Sequence, residues 1–451
     1  MARPPGLIRG RRPAGAAALA GLAVATLVAI RLVGGADAQP PAAPAGALTL
    51  AAPLYEQLAA LKGLARGLGP PPIEIRTREQ NRRFMEQELD RRYSPARLEA
   101  DRKGLVAWAL IPPDYDLRGL FLDLVQEQAV AYYDPRAKVM VLGDWLTPVE
   151  QHAALLHELV HALQDTMTPL DQFLTPSPGR GDQVLARQAL IEGEAMGVMI
   201  ETMLQTQGLD FAALPDTNSL GGVIAGSAGG PVIARAPRFL RELLLFPYVE
   251  GLSFVHAFRK LRPWAAIGEL YRDPPRSSAQ ILHPEQRLGG NRLDPIAVAL
   301  PDLVELAPGL REAANDEMGE FALGAVLAQE LGDGAGRQAA VGWRGDRYRI
   351  WEDDAGRLAL VYLVIMDSDA GATRLAGTFT RLVERRHPAL LRRGVPGPVS
   401  LTTWEDSGRS FAVEKRGAEV LVVENLPSSA AAGARDAIWR SRDALAPATR
   451  P

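Results

Sequence analysis

The chain has 451 residues, long enough for two or three folded units with real hydrophobic cores. Its formal net charge of -3 with 23% charged residues shows neither the basic bias of a nucleic-acid binder nor the acidic, low-hydrophobicity profile of a disordered chain. Cysteine is absent, which excludes disulfides, thiolate metal ligands and cysteine nucleophiles together, so any metal must be held by His, Asp or Glu.

Residues 1–38 read as an export segment. Arg9, Arg11 and Arg12 form a basic start, Ala14 to Ile30 is uninterrupted by charge, and Ala36-Asp37-Ala38 offers a cleavage site. A helix running on to Val33, with Arg31 snorkelling, is also long enough to tether the chain in a membrane through residues 14–33. Either way the charge order sends the C-terminal bulk outward, to the periplasm, the outer side of the cytoplasmic membrane or beyond. Residues 39–52, with "QPPAAPAGA", read as a Pro/Ala-rich spacer.

Folding is expected to start near Leu54. "LYEQLAALKGLARGL" and "TREQNRRFMEQELDRRY" have helical spacing, the second opened by Thr77 as N-cap, and the helical part extends to about residue 125. "AVAYYDPRAKVMVLGD" then changes period and predicts a hairpin around Asp134-Pro135. Thr147-Pro148 opens a helix to about Asp165, and a second long helix is expected from Asp182 to about Gln207, with a Pro/Gly loop between them. "DTNSLGGVIAGSAGGPVIARAP" reads as a small-residue loop; its glycines lack the Gly-Lys-Ser/Thr of a phosphate loop. From residue 301 to 427 strand-like runs surround one helix, "SDAGATRLAGTFTRLVERR", which predicts a separate C-terminal α+β unit, and 428–451 reads as a loose tail.

The chemistry sits in "HELVH", residues 157–161. His157 and His161 are one turn apart and about 40° round the helix, so both imidazoles can face one ion, and Glu158 can face a water beside it. Leu155, Leu156, Leu159, Val160, Ala162 and Leu163 make this helix apolar nearly all round, hence buried. Two histidines and a carboxylate in such a helix carry a desolvation cost of several kcal/mol unless something pairs with them, and a zinc ion would do so. A third ligand must come from elsewhere, because Met167 stands where an extended three-histidine motif needs its last histidine. Glu192 and Glu194 on the next long helix lie about 200° apart, so only one can face the site. Glu250 is a further candidate.

"ALIEGEAM" resembles the second-helix motif of the gluzincins, the thermolysin-like and aminopeptidase zincins, and that resemblance selects Glu192. "HELVHALQD", "EGEA", "FPYVEGLSFVHAFRKL", "RDPPRSSAQILHPEQ" and "AAVGWRGDRY" are, in this order, similar to a family of uncharacterised, mostly exported bacterial and archaeal proteins with a gluzincin-like motif, over about residues 50–425. The family pattern would place Glu at position 279 and an aromatic at 287; Ala279 and Arg287 depart from it.

The fold class expected is α+β: a gluzincin-like catalytic unit over 53–300, with long active-site helices behind a β-hairpin, and an α+β unit over 301–427. The function expected is an exported zinc metallopeptidase, with His157, His161 and Glu192 as ligands and Glu158 as general base acting on a peptide or protein substrate. His283 is a candidate oxyanion-stabilising residue, as are Tyr132, Tyr133 and Tyr248. The rivals are a metal-stabilised envelope scaffold without turnover and a metallohydrolase acting on amide bonds of cell-wall peptides or small molecules.

Overall fold

The computed structural model describes residues 45–445 apart from 66, 68, 129, 176, 228–229 and 396–399. Residues 1–38, read above as an export segment or a tether at 14–33, lie outside the described residues. No helix among the described residues is long and apolar enough to cross a membrane.

Helix formation begins earlier than the Pro/Ala-rich composition suggested. Ala45–Leu61 is helical, taking in the last part of the expected spacer, because alanine is the best helix former and Ala51, Leu54, Tyr55, Leu58 and Ala59 share one buried face. Three helices follow. Arg78–Arg92 is opened by a capping box between Thr77 and Gln80, Pro95–Ala107 by Ser94 with proline in its first turn, and Leu117–Gln128 completes the group.

A small sheet stands beside them. Strands β1 (Ile73–Arg76), β2 (Ala131–Asp134) and β3 (Val139–Gly143) pair in the order β1-β3-β2, with β1 parallel to β3 and the expected hairpin formed by β2 and β3. The hairpin leads into the motif helix, Pro148–Met167, whose Thr147–Glu150 capping box fixes its start. The second long helix, Gly181–Gln205, packs on the motif helix and on a third, Arg238–Leu261. The stretch expected as a small-residue loop instead contains helices Asn218–Ser227 and Pro231–Arg235. Glu127 stabilises the second of these by accepting the Val232 and Ile233 N–H groups at 2.8 and 3.2 Å.

The crossing of Gly181–Gln205 with Arg238–Leu261 depends on glycine. A Cβ at Gly193 would lie 2.1 Å from the Gly251 carbonyl oxygen, and one at Gly251 would lie 2.1 Å from that of Ala189. Neither neighbour is a side chain that can swing away. Gly193→Ala is therefore expected to destabilise the protein by about 1–3 kcal/mol, the usual cost of overpacking, read as a lower midpoint in denaturant. An unchanged midpoint would show that the helices separate freely.

The C-terminal half is a seven-stranded antiparallel sheet. Its strands are β4 (Arg311–Asp316), β5 (Trp343–Glu352), β6 (Leu358–Met366), β7 (Leu391–Val395), β8 (Ser400–Asp406), β9 (Arg409–Arg416) and β10 (Glu419–Pro427), in the order β4-β5-β6-β10-β9-β8-β7. Helices Gly319–Leu331 and Asp369–Arg386 lie on one face, and Trp108 packs edge-on against Tyr348 and Tyr362. One hydrophobic core therefore runs from Ala51 to Val422, across the boundary expected at residue 301. The other face is covered by Ser428–Leu445, which corrects the reading of 428–451 as a loose tail. Ala430, Ala434 and Ile438 recur every four residues and, with Ala431 and Trp439, form a buried stripe on the sheet. The whole is α+β, with helices and antiparallel sheet in one packed body.

Candidate metal centre

The motif helix is buried between the N-terminal helix, β2 and Gly181–Gln205. Its polar motif residues are as enclosed as its leucines: His157, Glu158 and His161 are 6%, 4% and 1% exposed, and Glu192 on the facing helix is 3% exposed. Solvent therefore cannot satisfy these groups, and they must satisfy one another or share an ion.

They converge closely. Nε2 of His157 and Nε2 of His161 are 3.1 Å apart, and Glu192 Oε2 lies 3.2 Å from the first and 3.6 Å from the second. Three ligands of a tetrahedral zinc, each at about 2.0–2.2 Å from the ion, stand roughly 3.3 Å from one another. The donor set and its spacing fit such an ion. His157, Glu158 and His161 also form a buried group with ligand atoms within 4.8 Å of one another, so Glu158 competes with Glu192 for the third position. Hydrogen bonding separates the two. Glu158 Oε2 accepts the Tyr133 N–H at 2.8 Å, whereas the carboxylate of Glu192 is directed at the imidazoles.

Electrostatics follow from this packing. Burial pushes Glu158 above the usual carboxylate range, against the pull of His161 and His157. Burial acts in the same sense on Glu192, but His161 and His157 outweigh it and hold that carboxyl down to about 2. For His161 burial opposes charge, while Glu192, Glu158 and the hydrogen bond to Gln164 carry it up to about 9. Without a metal the centre thus pairs a carboxylate at 192 with a proton on His161, and a bound cation would take the place of that proton.

The other sequence candidates separate from this cluster. Glu194 faces away from the imidazoles and pairs with Lys62. His283 is not brought to the cluster: its Nε2 meets Glu320 Oε1 at 2.7 Å, and with Glu250 it lines a cavity of about 470 Å³ whose walls include none of His157, Glu158, His161 or Glu192. His283 precedes Pro284, which opens a new short helix, and that turn directs it toward Gly319–Leu331. The Tyr132 hydroxyl accepts from Arg76 at 2.6 Å, and the Tyr133 hydroxyl donates to Asp165 at 2.8 Å. Tyr133 serves the centre through its backbone N–H. Tyr248 is buried in the core.

Residues 305–436 match the family described as Domain of unknown function (DUF8575), a span that covers the seven-stranded sheet and contains none of the four converging residues. No curated protein and no solved structure matches the chain.

Sequence reading missed the groups behind the cluster. Gln164 Oε1 lies 2.7 Å from His161 Nδ1, and its i, i+3 position on the same helix face was an available signal. Lys62 and Tyr271 reach the same region from distant segments, and nothing local in the sequence marks them.

Proposed function

We propose that this chain is an exported zinc metallopeptidase of gluzincin-like architecture, with His157, His161 and Glu192 holding the ion. The observation that carries the reading is the 3.1–3.6 Å triangle of two imidazole nitrogens and one carboxylate oxygen, with a second carboxylate beside it that is held by a backbone N–H. When bound, zinc supplies Lewis acidity that makes a water easier to deprotonate. Glu158 takes that proton as the water attacks a peptide carbonyl, and its raised proton affinity suits the role. A scaffold that used the metal only for folding would need no such carboxylate.

The edge strand supports a peptide substrate. Just before β2 the carbonyl of Val130 accepts from Gly143, and within it Tyr132 is opposite Val141, so Ala131 and Tyr133 turn their backbone groups away from β3. With the Tyr133 N–H held by Glu158, an extended peptide laid along that edge would pair with the backbone of Ala131 and the Tyr133 carbonyl, giving affinity with little sequence preference.

The test begins with metal analysis of purified protein, which should give one zinc per chain, falling to background in His157→Ala, His161→Ala and Glu192→Ala. Chelator-treated protein should lose cleavage of an unfolded protein or a peptide library and regain it on zinc addition. Zinc-loaded protein that cleaves nothing in such a library would leave the metal-stabilised scaffold as the better description.

A further inference from the structure

Behind His161 lies a line of polar side chains that ends in the N-terminal helix. Gln164 Oε1 faces His161 Nδ1 at 2.7 Å. Its Nε2 donates to the Ile191 carbonyl at 2.9 Å and to Glu194 Oε2 at 3.0 Å. Glu194 is fully buried, accepts a further hydrogen bond from the Tyr271 hydroxyl, and meets the Lys62 ammonium at 2.5 Å, where both side chains are sealed from solvent. Lys62 directly follows the helix Ala45–Leu61.

The chemistry of these groups leaves one hydrogen-bond assignment. A carbonyl and a carboxylate only accept, so the two partners on the far side of Gln164 require its NH₂ group. Its oxygen must then face His161, which obliges Nδ1 of that ring to carry a proton and leaves Nε2, the atom in the ligand triangle, as the nitrogen that would bind an ion once its own proton is displaced. Lys62 is the charge partner of Glu194 in a place that water does not reach.

We propose that Lys62, acting through Glu194 and Gln164, is a positioning residue that holds the His161 ring in place and thereby sets the metal affinity of the centre. The inference rests on the zinc reading given above and adds to it a dependence on the N-terminal helix: the metal site is complete only when that helix is docked. Outer groups that orient a metal-binding histidine are typically worth 10–100-fold in metal affinity.

The experiment compares full-length wild type, Lys62→Met and the double variant Lys62→Met/Glu194→Gln. Zinc affinity is measured by competition with a chromophoric chelator, metal-free stability by thermal unfolding, and the hydrogen bonding of His161 by the ¹⁵N resonances of its ring. Lys62→Met leaves a buried charge unpaired and should lose both stability and 10–100-fold in zinc affinity. The double variant is neutral at both positions, so a simple buried ion pair would predict recovery of stability and affinity together. The relay predicts recovery of the unfolding midpoint alone, because a neutral amide at 194 holds the Gln164 NH₂ group more weakly than a carboxylate does and leaves the Ile191 carbonyl as its firm acceptor, so that Gln164 orients His161 less tightly. Zinc affinity should stay 10–100-fold below wild type, with the His161 Nδ1 resonance shifted toward that of a more weakly hydrogen-bonded ring. Wild-type affinity and unshifted His161 ring resonances in the double variant would overturn the relay while leaving the zinc site standing. A wild-type protein that binds no zinc would overturn the metal reading itself.

Discussion

Glu158→Gln is expected to keep one zinc per chain and an unfolding midpoint close to that of wild type while peptide hydrolysis falls by about 10²- to 10⁴-fold. The side chain is 4% exposed and its recorded polar contact is the Tyr133 N–H at 2.8 Å, which the carbonyl oxygen of glutamine can still accept. Size, packing and that hydrogen bond are retained. What is lost is the capacity to take up a proton in a setting where burial and the surrounding charges have raised the carboxyl's proton affinity. The same variant decides between the two buried ligand sets. If Glu158 were the third ligand in place of Glu192, its amide would bind the ion poorly and zinc would be lost with activity. Metal content, calorimetry and cleavage of a peptide library, measured on one preparation, separate the cases. Retained zinc with undiminished cleavage would remove Glu158 from catalysis.

Part of this arrangement was legible before any coordinates. The hairpin and the motif helix were readable because "AVAYYDPRAKVMVLGD" alternates around a proline turn and because Thr147, Pro148 and Glu150 form a start signal. His157 and His161 were readable because four residues on a helix is a fixed geometry, whereas Gly193 beside Glu192 packs against Gly251 of Arg238–Leu261 and not against the motif helix. What failed were inferences from composition. Alanine and serine after Pro427 suggested looseness, yet the same alanines at a spacing of four make a face flat enough to lie on a sheet. Strand β1 is four residues long, too short for a period to declare itself, and it exists because β3 offers it a parallel partner. The unit expected to begin at 301 was distinct in pattern, but Trp108 and Phe246 insert into its core, and pattern does not report which surfaces meet. Lys62 shows the limit most clearly. Its significance lies in a partner on another helix, and a lone lysine after a helix carries no trace of that partner.

The same long-range packing concentrates acid where the two halves join, and this has a consequence for pH. Glu317 lies at the end of β4 beside Asp316, close to Asp346 and Asp182, with Arg180 at 4.0 Å and the Gln183 N–H at 3.4 Å as its direct partners. Burial first, and then the charge of Asp346, raise its carboxyl from 4.5 to about 7, against the opposing pull of Arg347 and Arg180. Between these two values the folded chain holds a proton that the unfolded chain has released. The native state therefore binds more protons than the unfolded state, and stability must fall as pH rises through the window. The contribution is fully present below about pH 4.5, is lost on approaching pH 7, and amounts to about 3 kcal/mol. Glu317→Gln removes the titration while keeping an acceptor for Gln183. Denaturant unfolding at roughly pH 4 should find variant and wild type similar, and at roughly pH 8 should find the variant more stable by about 2–3 kcal/mol. The comparison is a difference between two proteins that share every other titrating group, so protonation of the buried histidine and carboxylate cluster at low pH cancels from it. A variant that tracks wild type across the whole range, or one that loses stability at the alkaline end, would show that Glu317 stays ionised in the fold and that Arg180 and Arg347 outweigh its burial.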